Sequence, residues 1–284
     1  MRAVRRRADA PVGSGQVNPF LSALGGKLAE RWVSTLLLPG ALFVAAVVCA
    51  VRLGHRDALD LARVVTDLTA AFPRAPIALG AAGLLLGAAA AAFVAQGAGR
   101  VIEVVWTARW SGPAVLLARP VVALRSRLAR RAAGRAGVEP VRAYLPQRAT
   151  WISDRFRLLE VRIAAQYHGV RLGLLWPRLW LLLPEQVRTP VQAVESQFRS
   201  AMTLTGWGLL YLTLGAWWYP AAVAGGCAAL VGWRRARYTT NSVTTLIEAT
   251  VDTHLPLLTT ALGYPDALNA DTALRINDRL DKGA

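Results

Sequence analysis

Three long stretches of this chain carry no charged side chain, and they limit what it can fold into more than any other feature. The first, WVSTLLLPGALFVAAVVCAV, runs from Trp32 to Val51 before Arg52 interrupts it; the second runs from Pro76 to Ala98; the third runs from Ala201 to Trp233. About twenty apolar residues, at about 1.5 Å each, cross a hydrocarbon core of about 30 Å. The first two stretches have that length, and Pro39-Gly40 lies near the start of the first, where few backbone donors are lost. The third is too long for one crossing and is broken at Trp217-Trp218-Tyr219-Pro220. Aromatic rings favour the headgroup level and proline favours a turn, so this stretch reads as two short helices in a tight hairpin, both ends on one side. The expectation is an all-α integral membrane protein with four transmembrane helices, two plus a C-terminal hairpin, and a helical cytoplasmic module.

Arginine placement sets the orientation. The chain has 33 Lys+Arg against 17 Asp+Glu, a formal charge of +16, and only Lys27 and Lys282 are lysines. Such an excess suits either nucleic acid or the cytoplasmic face of a membrane protein, and its distribution decides between them. Residues 1–30 form a basic segment around Arg2, Arg5, Arg6, Arg7 and Lys27, followed by the first two spans within 31–99. Their connecting loop, 54–75, balances Arg56, Arg63 and Arg74 against Asp57, Asp60 and Asp67. Residues 100–200 hold seventeen arginines against six carboxylates, a net of +11, and Arg234, Arg235 and Arg237 follow the 201–233 hairpin at once. The positive-inside rule places both termini, the 100–200 module and the 234–284 tail in the cytoplasm, leaving the 54–75 loop and the tip near Tyr219 outside. The chain thus reads as a multi-pass protein of the cytoplasmic (inner) membrane. A cleaved signal peptide fits poorly, because about 25 mostly polar residues separate Arg7 from an apolar run longer than an h-region of about 7–15 residues.

Inside the second span Gly83, Gly87, Ala91, Ala95 and Gly99 recur at every fourth residue. Small residues at this spacing let two helix backbones approach closely, either within the chain or between copies in a homo-oligomer. The polar residues at membrane depth are Ser34, Thr35, Gln96, Thr203, Thr205, Tyr211 and Thr213. Transporters and proton relays need charged or strongly polar partners there, which argues against transport by a monomer. A pore built from several copies stays open as a reading, since an apolar constriction needs no charge.

The central hundred residues contain two distinct segments. Residues 113–137 combine Val115, Leu116, Val121, Leu124 and Leu128 with Arg119, Arg125, Arg127, Arg130, Arg131 and Arg135, the pattern of a basic amphipathic helix lying on anionic headgroups of the lipid bilayer. Nucleic acid is not an expected partner, because no aromatic stacking set or reader motif accompanies the charges. Leu172 to Pro184 is apolar but too short to span, and Trp176 and Trp180 flank Arg178, which suits the inner headgroup boundary or packing beneath the spans. Val187, Val191, Val194 and Phe198 then mark an amphipathic helix, with Pro190 in its first turn, that feeds the hairpin.

Tyr167-His168-Gly169-Val170-Arg171-Leu172, then Leu175-Trp176-Pro177-Arg178-Leu179-Trp180, the amphipathic helix, the tryptophan-rich hairpin and a tail with Asp252-Thr253-His254 and Leu262-Gly263-Tyr264-Pro265 resemble a family of uncharacterised multi-pass membrane proteins common in actinobacteria. The resemblance spans residues 145–265 and is concentrated in Trp176, Pro177, Arg178 and Trp180. It implies an architecture and a location, with these four residues organising the module or its position at the membrane, and it implies no chemistry. In that family an Arg follows the His; Leu255 stands there in this chain, so no role is carried over to His254.

No motif in the chain marks a reaction centre. His55, His168 and His254 lack metal-ligand spacing, Cys49 and Cys227 are isolated in apolar runs, and no GxSxG elbow is present. Gly25-Gly26-Lys27 fails as a phosphate loop, with Leu21 at the first glycine and Leu28 at the Ser or Thr. Asp252 and His254, two residues apart, do not face each other on a helix. No cofactor or metal is expected. In the tail, Val243, Leu246, Ile247 and Val251 share a helical face, Pro256 interrupts it, and a final polar helix runs from Asp266 to Leu280; this pair either caps the module or docks a partner. The reading is a non-enzymatic membrane scaffold or effector that presents its basic module to a cytosolic protein partner. Its alternatives are an oligomeric pore using the Gly83–Gly99 stripe, and a lipid-acting interface enzyme in which Asp154, Arg155, His168 and Arg178 converge.

Overall fold

The structure is a computed structural model that describes residues 37–71, 77–110, 112–139, 141–265 and 268–281. The basic segment 1–30, the opening of the first apolar stretch and Asp266 lie outside the described residues. Among the described residues the regular structure is entirely helical: α1 (Leu38–Leu53), α2 (Leu61–Ala71), α3 (Ile77–Thr107), α4 (Ala114–Arg135), α5 (Trp151–Gln166), α6 (Leu172–Leu182), α7 (Glu185–Leu214), α8 (Tyr219–Ala261) and α9 (Ala270–Leu280), with a single 3-10 turn at Arg142–Tyr144. Two compact units divide inside α3, between Val94 and Ala95.

The first unit is built on small residues. Pro39 opens α1, where its fixed φ suits a first turn and its missing N–H costs nothing. A Cβ on Gly40 would stand 2.2 Å from the carbonyl oxygen of Ala88, so α1 and α3 meet backbone to backbone. Ala46, Ala50, Ala88 and Ala92 are buried while Leu38, Leu42, Val51, Leu86 and Phe93 are exposed. Small residues inside and large apolar ones outside is the arrangement of helices that pack in lipid. Among the described residues α3 alone, over Leu79–Thr107, is long and apolar enough to cross a membrane. It does not stop near Ala98: it carries Arg100 and Glu103 and reaches Thr107, 31 residues in all, or about 46 Å.

The stripe Gly83, Gly87, Ala91, Ala95 and Gly99 does not form one face. Every fourth residue advances about 40° around a helix of 3.6 residues per turn, and the positions drift accordingly. Gly83 is exposed with open space beside it, Gly87 faces Val44, Ala91 is half-buried, and Ala95 and Gly99 are buried. The buried line along α3 is instead Ala88, Ala92, Ala95, Gly99 and Ile102, alternating steps of four and three.

In the second unit α7 and α8 form the hairpin read from sequence, turning at residues 215–218. Glycine sets its closeness: a Cβ on Gly208 would lie 2.5 Å from Ala229 N, one on Gly225 2.6 Å from Leu212 N, and one on Gly232 2.9 Å from Thr205 N. The hydroxyls of Thr203, Thr205 and Thr213 donate to Arg199 O, Ala201 O and Leu210 O, which satisfies them within their own helix. Both helices run on past the apolar region, α7 from Glu185 and α8 for 43 residues to Ala261. Pro190 therefore sits in the second turn of α7, not the first. Pro256 does not interrupt α8, because Leu255 and Leu258 on either side of it are buried in the core and hold the helix through the missing hydrogen bond.

That core is one cluster: Leu159 and Ile163 of α5, Leu172, Leu175 and Leu179 of α6, Leu183, then Val243, Ile247, Val251, Leu255 and Leu258 of α8, and Ala273 of α9. The segment from Leu172 to Pro184 thus packs into the module by one face and leaves Leu181 on the other, 78% exposed. A second cluster joins Ile102, Ile152, Phe198, Ala201, Met202 and Ala236. The final helix begins at Ala270, not Asp266, because Asn269 caps it, its Oδ1 accepting from Thr272 N at 2.8 Å.

Candidate functional site

The module is organised around one buried carboxylate. Thr150 caps α5, accepting from Ser153 N at 3.1 Å, and the first turn brings Asp154 to 3% exposure. Asp154 Oδ1 accepts from Arg157 Nε at 2.9 Å and from the backbone N–H of Gln147 and Arg148 at 3.0 and 3.3 Å, while Oδ2 faces Arg125 at 3.5 Å. Arg157 also donates to Ala143 O and Leu145 O, both at 2.8 Å. Arg125 reaches from α4 to Arg148 O and Thr150 O, and beside it Ser126 donates to Pro146 O at 2.8 Å. Burial lowers the Arg125 guanidinium below its ordinary pKa, with Asp154 opposing the shift; burial does the same to Arg148, opposed by Glu160. Guanidinium groups keep their charge in proteins, so the single carboxylate of Asp154 holds two arginines, Arg157 and Arg125 of α4, against the irregular 141–150 segment.

The same turn seals the end of α3. Thr150 Oγ1 donates to Trp106 O, and Ser153 Oγ sits within 3.2 Å of Thr107 O and Ala108 O. Arg237, first of the tail arginines to turn inward, stacks over the rings of Trp151 at 4.4 Å and Trp233 at 4.9 Å. Arg162 grips Glu248 with two bonds of 2.9 and 2.7 Å, tying α5 to α8.

The turn from α5 to α6 explains most of the YxGxRL segment. His168 and Gly169 have φ of 53° and 90°, the left-handed region where glycine is favoured. Asn277 clasps this turn, accepting from Arg171 N and donating to Gly169 O, each at 3.0 Å. Arg178 donates to Leu174 O at 2.6 Å and to Leu280 O, the last carbonyl of α9, at 3.1 Å. Trp176 and Trp180 meet at 5.7 Å between centroids with their planes tilted by 46° and pack on the core, and Pro177 faces out. Of the four residues singled out, Arg178 ties α6 to α9 and the two tryptophans pack on the module core. Replacing Arg178 by Ala removes a charged cap and should loosen α9 by about 1–2 kcal/mol. Trypsin should then cut at Arg275 and Arg279 about five- to thirtyfold faster, and Arg178→Lys, unable to fork, should restore less than half of the protection.

Tyr167 O–H donates to Asp252 Oδ1 at 2.7 Å beside a cavity of about 420 Å³ that His168, Leu255 and Pro256 also line. Burial first, and the bond to Asp252 second, push the Tyr167 phenol up to about 12. The folded state therefore keeps its proton where the unfolded chain, titrating near about 10, has lost it. The resulting stabilisation is complete below about pH 10 and disappears as pH rises towards about 12. In a phenolate absorbance titration Asp252→Asn should bring this group's midpoint down towards the ordinary value. Asp252 and His254 do not act together: His254 Nδ1 lies 2.6 Å from Thr253 Oγ1.

The four residues that a lipid-acting site would need are held apart by their own partners. Asp154 belongs to the arginine hub, Arg178 to Leu280, and His168 to the turn, while Arg155 Nε is buried with no partner among the described residues. α4 is different, for only Ala118 is buried along it. Leu117, Val121, Leu124 and Leu128, at steps of four, three and four, are 71%, 44%, 58% and 54% exposed, with exposed Arg127 and Arg131 beside them. Sequence reading names Arg125 only among the arginines of a membrane-surface helix, and it does not single out Arg157, Asn277 or the hairpin glycines. Thr150 followed by Ser153 and Asp154 is an N-cap signal that could have found the hub; nothing comparable marks Asn277.

No protein-family model matches this chain. No characterised protein and no solved structure is similar to it either.

Proposed function

We propose that this protein is a non-enzymatic scaffold or effector of the inner membrane that holds a basic helical module against the cytoplasmic leaflet and presents it to a cytosolic protein partner. One observation carries the reading: α7 and α8 leave the uncharged hairpin and enter the module core without a linker. The module is thus positioned by helix rigidity, which a presenting scaffold needs and a flexible tether would not supply. α4 supports it, since an exposed apolar stripe flanked by arginines suits the interface plane of an anionic leaflet. In this reading the chain crosses four times with both termini inside, as in the actinobacterial family it resembles. A second reading has its own support. The uncharged arms, Ala201–Leu214 and Tyr219–Trp233, are each about 21–23 Å long, short of a hydrocarbon core of about 30 Å. A hairpin that enters from the cytoplasm and returns without reaching the far headgroups fits that length.

Photo-crosslinking in cells tests the scaffold. A crosslinker at Leu181 or Leu274, exposed on α6 and α9, is expected to give a discrete adduct with a different protein, and one at Leu230 on the hairpin is not. Adducts between copies alone, abolished by Gly83→Leu where the single chain has open space, would contradict the scaffold in favour of a pore.

A further inference from the structure

The tail arginines divide in a way that leaves a charged cleft at the mouth of the hairpin. Arg237 turns inward onto Trp151 and Trp233, whereas Arg234 and Arg235 line a cleft of about 500 Å³ between α7 and α8 together with Gln197, Ser200 and Tyr238. Its floor is Ala201 and Thr239, both buried. No carboxylate lines this cleft, and neither arginine forms an ion pair among the described residues. The side chains of Gln197 and Ser200 and the Tyr238 phenol likewise have no hydrogen-bond partner among the described residues, although the other serines and threonines of these two helices mostly bond to carbonyls of their own helix. Two cations and three neutral polar groups therefore converge with their capacity unspent.

One turn up α8, Arg235 leads to Val231 and Arg234 to Leu230, both exposed apolar positions of the uncharged arm. One helix face thus offers a basic cleft at its base and an apolar track above it.

We propose that this cleft binds the phosphate of an anionic phospholipid, with Arg234 and Arg235 on the phosphate oxygens, Ser200, Gln197 and Tyr238 on the headgroup hydroxyls, and the acyl chains along Val231 and Leu230. Basic pockets where helices leave the cytoplasmic leaflet suit such headgroups, and forked guanidinium donors suit phosphate. A choline or ethanolamine headgroup finds no carboxylate here to hold its ammonium. The inference rests on the hairpin lying in the membrane, but not on whether it crosses fully.

Native mass spectrometry of the full chain in mild detergent tests it, with short-chain phosphatidylglycerol, phosphatidylcholine and inorganic phosphate as probes. Phosphatidylglycerol is expected to bind about tenfold tighter than phosphatidylcholine, and Arg234→Gln with Arg235→Gln to abolish that preference. Arg130→Gln with Arg131→Gln, the same charge removed from α4, should leave it within about twofold. Equal loss in both double variants would show diffuse attraction and overturn the site, as would full binding by the first. If inorganic phosphate binds as tightly as the lipid, the ligand is a soluble phosphate and the lipid assignment falls. Membrane sedimentation of both variants reports separately on anchoring: a chain that leaves the membrane fails the scaffold reading, while one that stays and loses only the lipid preference upholds the cleft.

Discussion

Asp154→Ala is expected to destabilise the helical module by about 3–5 kcal/mol, because it strips the carboxylate from Arg157, whose charge stays buried, and from the half-buried Arg125. Arg157 is 8% exposed and cannot turn to water without vacating Ala143 O and Leu145 O. Thr150 and Ser153 would lose their position beneath the end of α3, so the effect should spread to Trp106 and Thr107. For a unit of this size the fall in Tm should be about 6–20 °C, followed through tryptophan fluorescence in detergent. Asp154→Asn keeps the volume and two acceptor sites and should cost less than Asp154→Ala. A change below about 0.5 kcal/mol, the ordinary scatter of surface substitutions, would remove Asp154 from the centre of the account.

The second large effect separates two adjacent glycines. A Cβ on Gly225 would meet Leu212 N at 2.6 Å and Gly208 O at 2.7 Å, both backbone atoms that cannot swing aside, whereas one on Gly226 meets nothing within 4 Å. Gly225→Val should force the arms apart, break the register that Gly208 and Gly232 also need, and cost about 3 kcal/mol or more. Gly226→Val, on the open side, should change stability by less than about 1 kcal/mol. Equal thermal shifts for the two would mean that the arms do not meet through Gly225.

Legibility in the sequence followed the range of each interaction. Helical class, the break at Trp217 to Pro220, and the α8 face of Val243, Ile247 and Val251 are local patterns, and all three stand in the structure. Helix ends were less legible: the return of charge at Arg100 reads as the end of the second span and Pro256 as a break, yet α3 runs on to Thr107, where Ile102 joins a buried cluster, and Pro256 sits between two buried leucines, so tertiary contact overrides local preference. The small-residue stripe misled because an exact four-residue step winds around a helix, while the true contact line alternates four and three. The hub was hidden for a different reason. Arg125 meets Asp154 across 29 residues and Asn277 meets Gly169 across 108, and no periodicity encodes such pairs.

Sidedness is the claim on which the membrane scaffold stands or falls. With Cys49 and Cys227 replaced by Ala, single cysteines at Ala62 on α2 and Ala132 on α4, both exposed, can be challenged with a membrane-impermeant maleimide in intact cells and in inverted vesicles. The account predicts that position 62 reacts only from outside and position 132 only from the cytoplasmic side. Reaction of position 62 from the cytoplasm, or of position 132 from outside, would contradict it.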